Sequence, residues 1–276
     1  MMTRFTLGTI GALTVAAGIL LAQNAAPQPK PKSQKEVDAV MAIFNTQDPD
    51  ARVAAVENLL TKFADTEFKA IALQVAAASE QQKNDYEKMV VYAERTLQVD
   101  PKNYPCMLML AAGLAQHTRE FDLDREEKLS KAEKYAKDAM ALVPTAPKPR
   151  PDVPDAQWEA AKKDYLSQGH EALGMIALVR KKYDVAQSEL KTAVEGASTP
   201  DPTTMVRLAG AYNQGGKPDE ALAVVDKVLA MPDLHPTIKQ VAGNEKMNAM
   251  KLKSGQAKPP SASTAPSGPA QVPIKQ

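Results

Sequence analysis

The sequence repeats one pattern of helix-forming residues over most of its length, with a period of about 34 residues. The clearest copy lies near the C-terminal end, where Leu208 and Tyr212 share one helical face. Gly216 can end that helix, because glycine adopts a left-handed conformation without strain. Pro218 then suits the first turn of a second helix, and the small Ala221 lets the two helices pack closely. Each copy is therefore predicted to be an antiparallel pair of helices.

The composition agrees with an all-helical chain. Aromatic residues make up only 5% of the 276 residues, and the apolar remainder is rich in alanine, the best helix former. The 34 Lys and Arg residues balance the 33 Asp and Glu residues. This balance argues against a chain whose main task is to bind nucleic acid or an anionic membrane surface. The single cysteine excludes an internal disulfide framework.

Further copies of the pattern precede the clearest one. Ala186 lies about one period before Ala221 and anchors a copy that matches well. The remaining copies are weaker, and a small or flexible residue stands at the equivalent position in each: Ala132, Met89 and Ala55. A final segment has Ile238, Val241, Met247 and Met250 on one helical face, which predicts a terminal helix that packs on the last pair.

At these residues the sequence resembles the tetratricopeptide repeat (TPR) family, and some hairpins look like those of exported bacterial members. The resemblance implies an all-α fold, a right-handed α-solenoid of about five helix hairpins with a C-terminal capping helix. The TPR-like repeat domain is expected at residues 35–253. Its units are expected at about residues 35–69, 70–103, 104–144, 156–200 and 202–235, with the capping helix at 236–253.

Both ends of the chain differ from the repeats. A short basic segment ending at Arg4, followed by the uncharged stretch Phe5–Ala22, is typical of a secretory signal peptide, expected at residues 1–22. An uncleaved inner-membrane anchor is the alternative, and the apolar segment also allows transient membrane association. Residues 23–34 are expected to form a Pro-rich linker, and residues 254–276 a disordered tail rich in Pro, Ser and Ala. We therefore expect export to the periplasm or cell envelope of a bacterium.

Two insertions interrupt the pattern around the third unit. One lies near Arg119–Glu126, between the two helices of that unit, and the other spans about residues 145–158. An exposed docking patch could be formed by Trp158, Tyr165 and Leu166. The preferred interpretation is that they extend the first helix of the next unit and cover its neighbour.

No catalytic constellation, cofactor motif or metal site stands out. His117, His170 and His235 are far apart in the repeat pattern, and His170 occupies a packing position. Cys106 lies in an apolar run and is expected to be a buried, inert thiol. The segment Ser188–Lys191 has the Ser-x-x-Lys spacing of penicillin-recognising enzymes, but it falls within a repeat helix and lacks the partner motifs. We expect no catalytic residue, no cofactor and no metal.

In the TPR family the first helix of each hairpin lines a concave surface that often holds a peptide or a partner helix. The resemblance implies such a surface here, mixed and weakly charged. The residues expected to bind a peptide or partner are Gln168, Glu171, Met175, Leu178, Thr203, Val206, Asn213 and Gln214. The equivalent upstream positions are Ile71, Gln74, Ala78, Gln81 and Gln82.

These observations favour a non-enzymatic protein–protein interaction scaffold that binds a protein or peptide and no nucleic acid. A different class remains open, namely a repeat-bearing enzyme or a substrate-binding subunit that acts on cell-envelope peptides or glycans. That alternative requires a pocket near one of the two insertions with convergent carboxylates. Self-assembly through the terminal helix is a third possibility.

Overall fold

The structure, a computed structural model, describes residues 29–259 and contains eleven α-helices and no β-strand within that range. The predicted signal peptide at residues 1–22, the start of the predicted linker and most of the predicted tail lie outside the described residues. The helices are α1 Gln34–Asn45, α2 Pro49–Lys62, α3 Lys69–Gln82, α4 Tyr86–Val99, α5 Tyr104–His117, α6 Arg125–Leu142, α7 Asp155–Val179, α8 Tyr183–Gly196, α9 Pro202–Gln214, α10 Pro218–Leu229 and α11 Pro236–Lys253. A short 3₁₀ helix, Val143–Thr145, follows α6.

Helices α1 to α10 form five successive hairpins, and α11 packs against both helices of the last one. The second helix of each hairpin also packs against the first helix of the next, so the hairpins form a continuous stack. The predicted all-α organisation, with five hairpins and a terminal helix, is confirmed.

Three of the hairpins are joined by the same backbone turn, in loops 83–85, 180–182 and 215–217. The central residue of each loop has a positive φ: Asn84 at 59°, Lys181 at 57° and Gly216 at 72°. The next backbone N–H donates to a carbonyl in the last turn of the preceding helix, at 2.8–2.9 Å in all three loops. This arrangement satisfies carbonyls that a helix end would otherwise leave without a partner. Gly216 therefore ends its helix as predicted, and α10 begins at Pro218 as predicted.

Small residues occupy the points where the helices cross. The fully buried alanines that anchor the repeat pattern are Ala77, Ala132, Ala186 and Ala221. Each core cluster draws residues from consecutive helices, as where Val40 of α1, Leu59 of α2 and Ala72 of α3 pack together. Because every hairpin shares its apolar side chains with its neighbours, no hairpin is expected to bury its core alone.

Both predicted insertions lie where expected, but each is divided between a loop and a helix. The first lengthens the α5–α6 loop, residues 118–124, and also α6, which has 18 residues against 14 in α8. The second forms a loop and the start of α7, a helix of 25 residues. Trp158 is buried there and its indole N–H donates to the carbonyl of Ala146 at 3.3 Å, while the Tyr165 ring packs edge-on against another aromatic ring. These residues extend the helix, and the docking-patch interpretation is wrong.

The terminal helix does not pack as its apolar pattern predicts. Helix α11 buries Ala242 and Ala249, whereas Val241, Met247 and Met250 are 41–53% exposed. The small Ala242 and Ala249 let α11 lie close to α9 and α10, and the larger apolar side chains face outward. The predicted packing face is therefore wrong for these three residues.

Candidate interaction surface

The first helices of the hairpins and the terminal helix present one side of the stack. We call it the first-helix surface and define it by α1, α3, α5, α7, α9 and α11. Helix α5 packs directly against α7, and α9 packs directly against α11. Helices α7 and α9, both wholly described, do not pack closely on one another. Helices α1 and α3 do not pack closely either, and α3 contacts α5 only slightly. The surface is therefore closed at two places and more open elsewhere, including between α7 and α9.

One ion pair crosses the more open part of the surface. The guanidinium of Arg207 on α9 donates to the carboxylate of Glu171 on α7, and both side chains are mostly shielded from solvent. Glu171, a predicted binding residue, is thus neutralised from within the chain. Gln168 on α7 is exposed, and Thr203 on α9 and Leu178 on α7 are half-buried. These residues form a surface that is polar and nearly uncharged.

Two other predicted binding residues are part of the core. Met175 is buried beside Leu114 and Leu129, where α5, α6 and α7 meet. Val206 is buried in the cluster that joins α9 to Ala242 of α11. Both side chains are covered by the chain's own helices.

The remaining two predicted residues are covered by the terminal helix. Asn213 is only 4% exposed, and its side-chain amide donates to the backbone carbonyl of Glu245 at 2.9 Å and to its carboxylate at 2.7 Å. Its Oδ1 atom accepts no hydrogen bond from the described residues. Gln214 borders a cavity of about 230 Å³ between α9, α11 and residues 257–258. The eight predicted residues are therefore divided: only Gln168 is exposed, Leu178, Thr203 and Gln214 are half-buried, and the other four are buried or paired within the chain.

The upstream part of the surface has a similar character. On α3, Ile71 and Gln81 are exposed, and the side-chain amide of Asn103 donates to Gln74 at 3.0 Å. Neutral amides and isolated apolar side chains thus recur along the surface. A partner would be selected there by shape and neutral hydrogen bonds more than by charge.

The sequence did not single out two strongly exposed apolar side chains. Phe121 is 89% exposed and Leu123 is fully exposed, and both lie in the α5–α6 loop. The acidic residues between and beside them turn back to the protein, since Glu120 pairs with Lys181 and Asp122 accepts from the backbone N–H of Arg119 at 3.1 Å. The alternation of acidic and apolar residues within an insertion is the signal that would have identified this loop.

The side chains that could act as nucleophiles or general bases are not brought together in the structure. Burial raises the pKa of the Cys106 thiol to about 11, so the thiol stays protonated at neutral pH. His170 Nδ1 lies 2.8 Å from the carboxylate of Glu189 on the facing helix. Ser188 is exposed on the outer side of α8. Within residues 29–259, no group of three or more His, Cys, Asp or Glu side chains is arranged to hold a metal ion.

A second concave region lies beside the long helix α7. This cavity of about 610 Å³ is bordered by α7 and by the C-terminal end of α8. It contains two carboxylates, but Glu159 pairs with Lys162 at 3.0 Å and Glu195 with Lys191 at 3.7 Å. Each carboxylate therefore has a cation on its own helix.

The fold is similar to solved structures of repeat proteins. A TPR protein from Parabacteroides merdae matches with a TM-score of 0.40 at 14% identity, over 80% of this chain and 93% of that chain. A thermophilic TPR protein from Thermus thermophilus matches with a TM-score of 0.52 at 18% identity, over 78% of this chain and 98% of that chain. The second similarity confirms the predicted TPR-like α-solenoid fold. No protein-family model and no curated protein sequence matches the chain significantly.

Proposed function

We propose that this chain is a protein-interaction scaffold that binds an extended peptide or a partner helix along the first-helix surface between α7 and α9. The observation that carries this proposal is the opening between these two helices, crossed by the Arg207–Glu171 ion pair. Stacked hairpins of this kind generally offer extended surfaces to protein partners. Gln168 and Thr203 would supply neutral hydrogen bonds, and Leu178 an apolar contact.

The proposed binding site is tested by photo-crosslinking in the native cell. A photoreactive amino acid replaces Gln168 on the proposed surface, and a matched variant carries it at Ser188, which is also exposed, on α8. We expect protein adducts from position 168 that position 188 does not give. Identical adducts from the two positions, or no protein adduct from position 168, would contradict the proposal.

We also propose that the scaffold works outside the cytoplasm, in the periplasm or cell envelope. The support is the N-terminal sequence, in which a basic segment precedes the apolar stretch Phe5–Ala22. No helix within residues 29–259 is both long and apolar enough to cross a membrane. Fractionation of the native cells, with mass spectrometry of the N-terminal peptide, tests this proposal. Recovery in the cytoplasmic fraction with residues 1–22 still attached would contradict it.

A second candidate function is favoured by the cavity beside α7, which lies next to the second insertion. An enzyme or substrate-binding subunit acting on cell-envelope peptides or glycans would need such a pocket. Thermal-shift measurements with peptidoglycan fragments test it, because a ligand that binds only the folded state raises the melting temperature. If Lys163→Glu at the cavity changes no such shift, or if no fragment stabilises the protein, this candidate fails.

A further inference from the structure

The cavity between α9, α11 and residues 257–258 is bordered by a buried polar side chain that lacks a partner. Asn213 is only 4% exposed and borders this cavity of about 230 Å³. Its side-chain N–H groups donate to the backbone carbonyl and to the carboxylate of Glu245, at 2.9 and 2.7 Å. A reversed amide would place Oδ1 against these two acceptors, so Oδ1 is the atom left without a donor in residues 29–259. A donor supplied by a bound molecule would remove the free-energy cost of this buried acceptor.

The carboxylate of Glu245 adds a negative charge at the same end of the cavity. It lies over α9 at Gly210, where a Cβ atom would stand 3.7 Å from the carboxylate. The next residue, Lys246, pairs with Asp226 of α10 and not with Glu245. This end of the cavity therefore offers an amide oxygen and a carboxylate, which are both acceptors.

Two lysines border the rest of the cavity. Lys251 of α11 and Lys258 are both exposed, whereas Lys253 is paired with Asp219 of α10. Lys251 stands about 9 Å along α11 from Glu245, at the rise of an α-helix. The cavity thus has acceptors at one end and cationic donors at the other.

The chain after α11 covers this cavity. It reverses at Gly255, which has a φ of 72°, and the backbone N–H of Gln256 donates to the carbonyl of Lys251 at 3.0 Å. Among the described residues, every hydrogen bond of residues 254–259 goes to the last turn of α11. Pro259 packs against Gly216 in the α9–α10 turn. Residues 257–258 can therefore move aside to admit a small molecule without breaking a hydrogen bond to α9.

We propose that this cavity binds a small zwitterion, namely a free amino acid or a dipeptide. Its ammonium group is held by Asn213 Oδ1 and the Glu245 carboxylate, and its carboxylate by Lys251 and Lys258. An ammonium group has three donors and no acceptor, so it suits an end that offers only acceptors. At the roughly 30 Å³ that a water molecule occupies in the liquid, the cavity holds about eight non-hydrogen atoms. Leu252 gives the ligand's short apolar body a contact.

Isothermal titration calorimetry tests this site on the chain purified from the native cells in the form they contain. The probes are L-alanine and L-alanyl-L-alanine, which distinguish an amino acid from a dipeptide. We expect one of them to bind with a dissociation constant below about 1 mM. The N-acetyl derivative of that probe lacks the ammonium group and should not bind. The amide derivative lacks the carboxylate and should bind about tenfold more weakly.

A charge-removing variant tests the assigned residues. Glu245→Gln keeps an oxygen that accepts from Asn213 but removes the charge, so it should weaken probe binding about tenfold. The matched control is Glu220→Gln, at an exposed carboxylate on α10, which should leave the affinity unchanged. Circular dichroism confirms that both variants fold, and Lys258→Met, outside the helices, is a second variant that should also weaken binding. No binding of either probe up to about 10 mM, equal binding of the N-acetyl derivative, or equal effects of both glutamine variants would overturn the proposal.

Discussion

The hairpins α5–α6 and α7–α8 have equivalent cores but are closed in different ways. In both, fully buried leucines and alanines fill the space between the helices, as Leu129 does in one and Leu190 in the other. The α7–α8 turn is short and is closed by backbone hydrogen bonds around Lys181. The α5–α6 loop, residues 118–124, is longer and is held by side-chain ion pairs. The repeat pattern thus constrains the core strictly and the loop hardly at all, because lengthening a surface loop costs little free energy.

The longer loop is held by the turn of the next hairpin. Arg180, in the α7–α8 turn, donates to the carboxylates of Glu126 and Glu133 on α6, and Lys181 pairs with Glu120 of the loop. The regular hairpin therefore supplies two of the cations that pair with the irregular hairpin, and Lys128 and Lys137 of α6 supply others. Three experiments test this difference between core and loop.

The largest expected effect is the loss of stability when a buried leucine is shortened in the core of either hairpin. Leu129→Ala and Leu190→Ala each remove a fully buried side chain and leave a cavity, so each should lower the free energy of unfolding by about 2–5 kcal/mol. Urea unfolding followed by circular dichroism measures both. Val91→Ala, at a half-exposed position on α4, is the matched control and should change the stability by less than about 0.5 kcal/mol. A loss for Leu129→Ala much smaller than for Leu190→Ala would show that the inserted hairpin is less tightly packed than its neighbour.

The second-largest expected effect is the loss of stability when the ion pairs of Arg180 and Lys181 are removed. Arg180 is largely shielded and has two carboxylate partners, one of which is mostly exposed, so Arg180→Met should cost about 1 kcal/mol. The more exposed pair of Lys181 and Glu120 should contribute less than about 0.5 kcal/mol, as Lys181→Met would measure. Hydrogen exchange of the loop amides at residues 119–122 should accelerate in Lys181→Met, which removes the partner of Glu120. Unchanged exchange there would indicate that the loop holds its conformation without the cation.

Much of the fold was predictable from residue types, because the repeat needs small side chains where helices cross and Ala186 and Ala221 supply them. The turn at Gly216 was also predictable, because glycine adopts a positive φ without strain. Lys181 adopts the same positive φ. The residue type gives no such signal, because only glycine adopts this conformation without strain. The covering of Asn213 could not be predicted either, because it depends on how closely α11 approaches α9, and a single repeat does not encode that distance.

The smallest expected effect is the pH dependence of the stability that the Arg180–Glu133 ion pair contributes. Hydrogen bonds from Arg180 and then Lys137 hold the pKa of the Glu133 carboxyl below its usual value of 4.5. A carboxyl whose pKa is lower in the folded than in the unfolded state stabilises the fold above the unfolded pKa, and this contribution disappears as the pH falls through the folded pKa. The stability difference between the wild type and Arg180→Met should therefore be constant from pH 7 to about pH 5 and should shrink below pH 4.5. Urea unfolding of both proteins at a series of pH values measures this difference. A difference that stays constant down to pH 3 would mean that Arg180 acts through packing of its aliphatic stem and not through the carboxylate of Glu133.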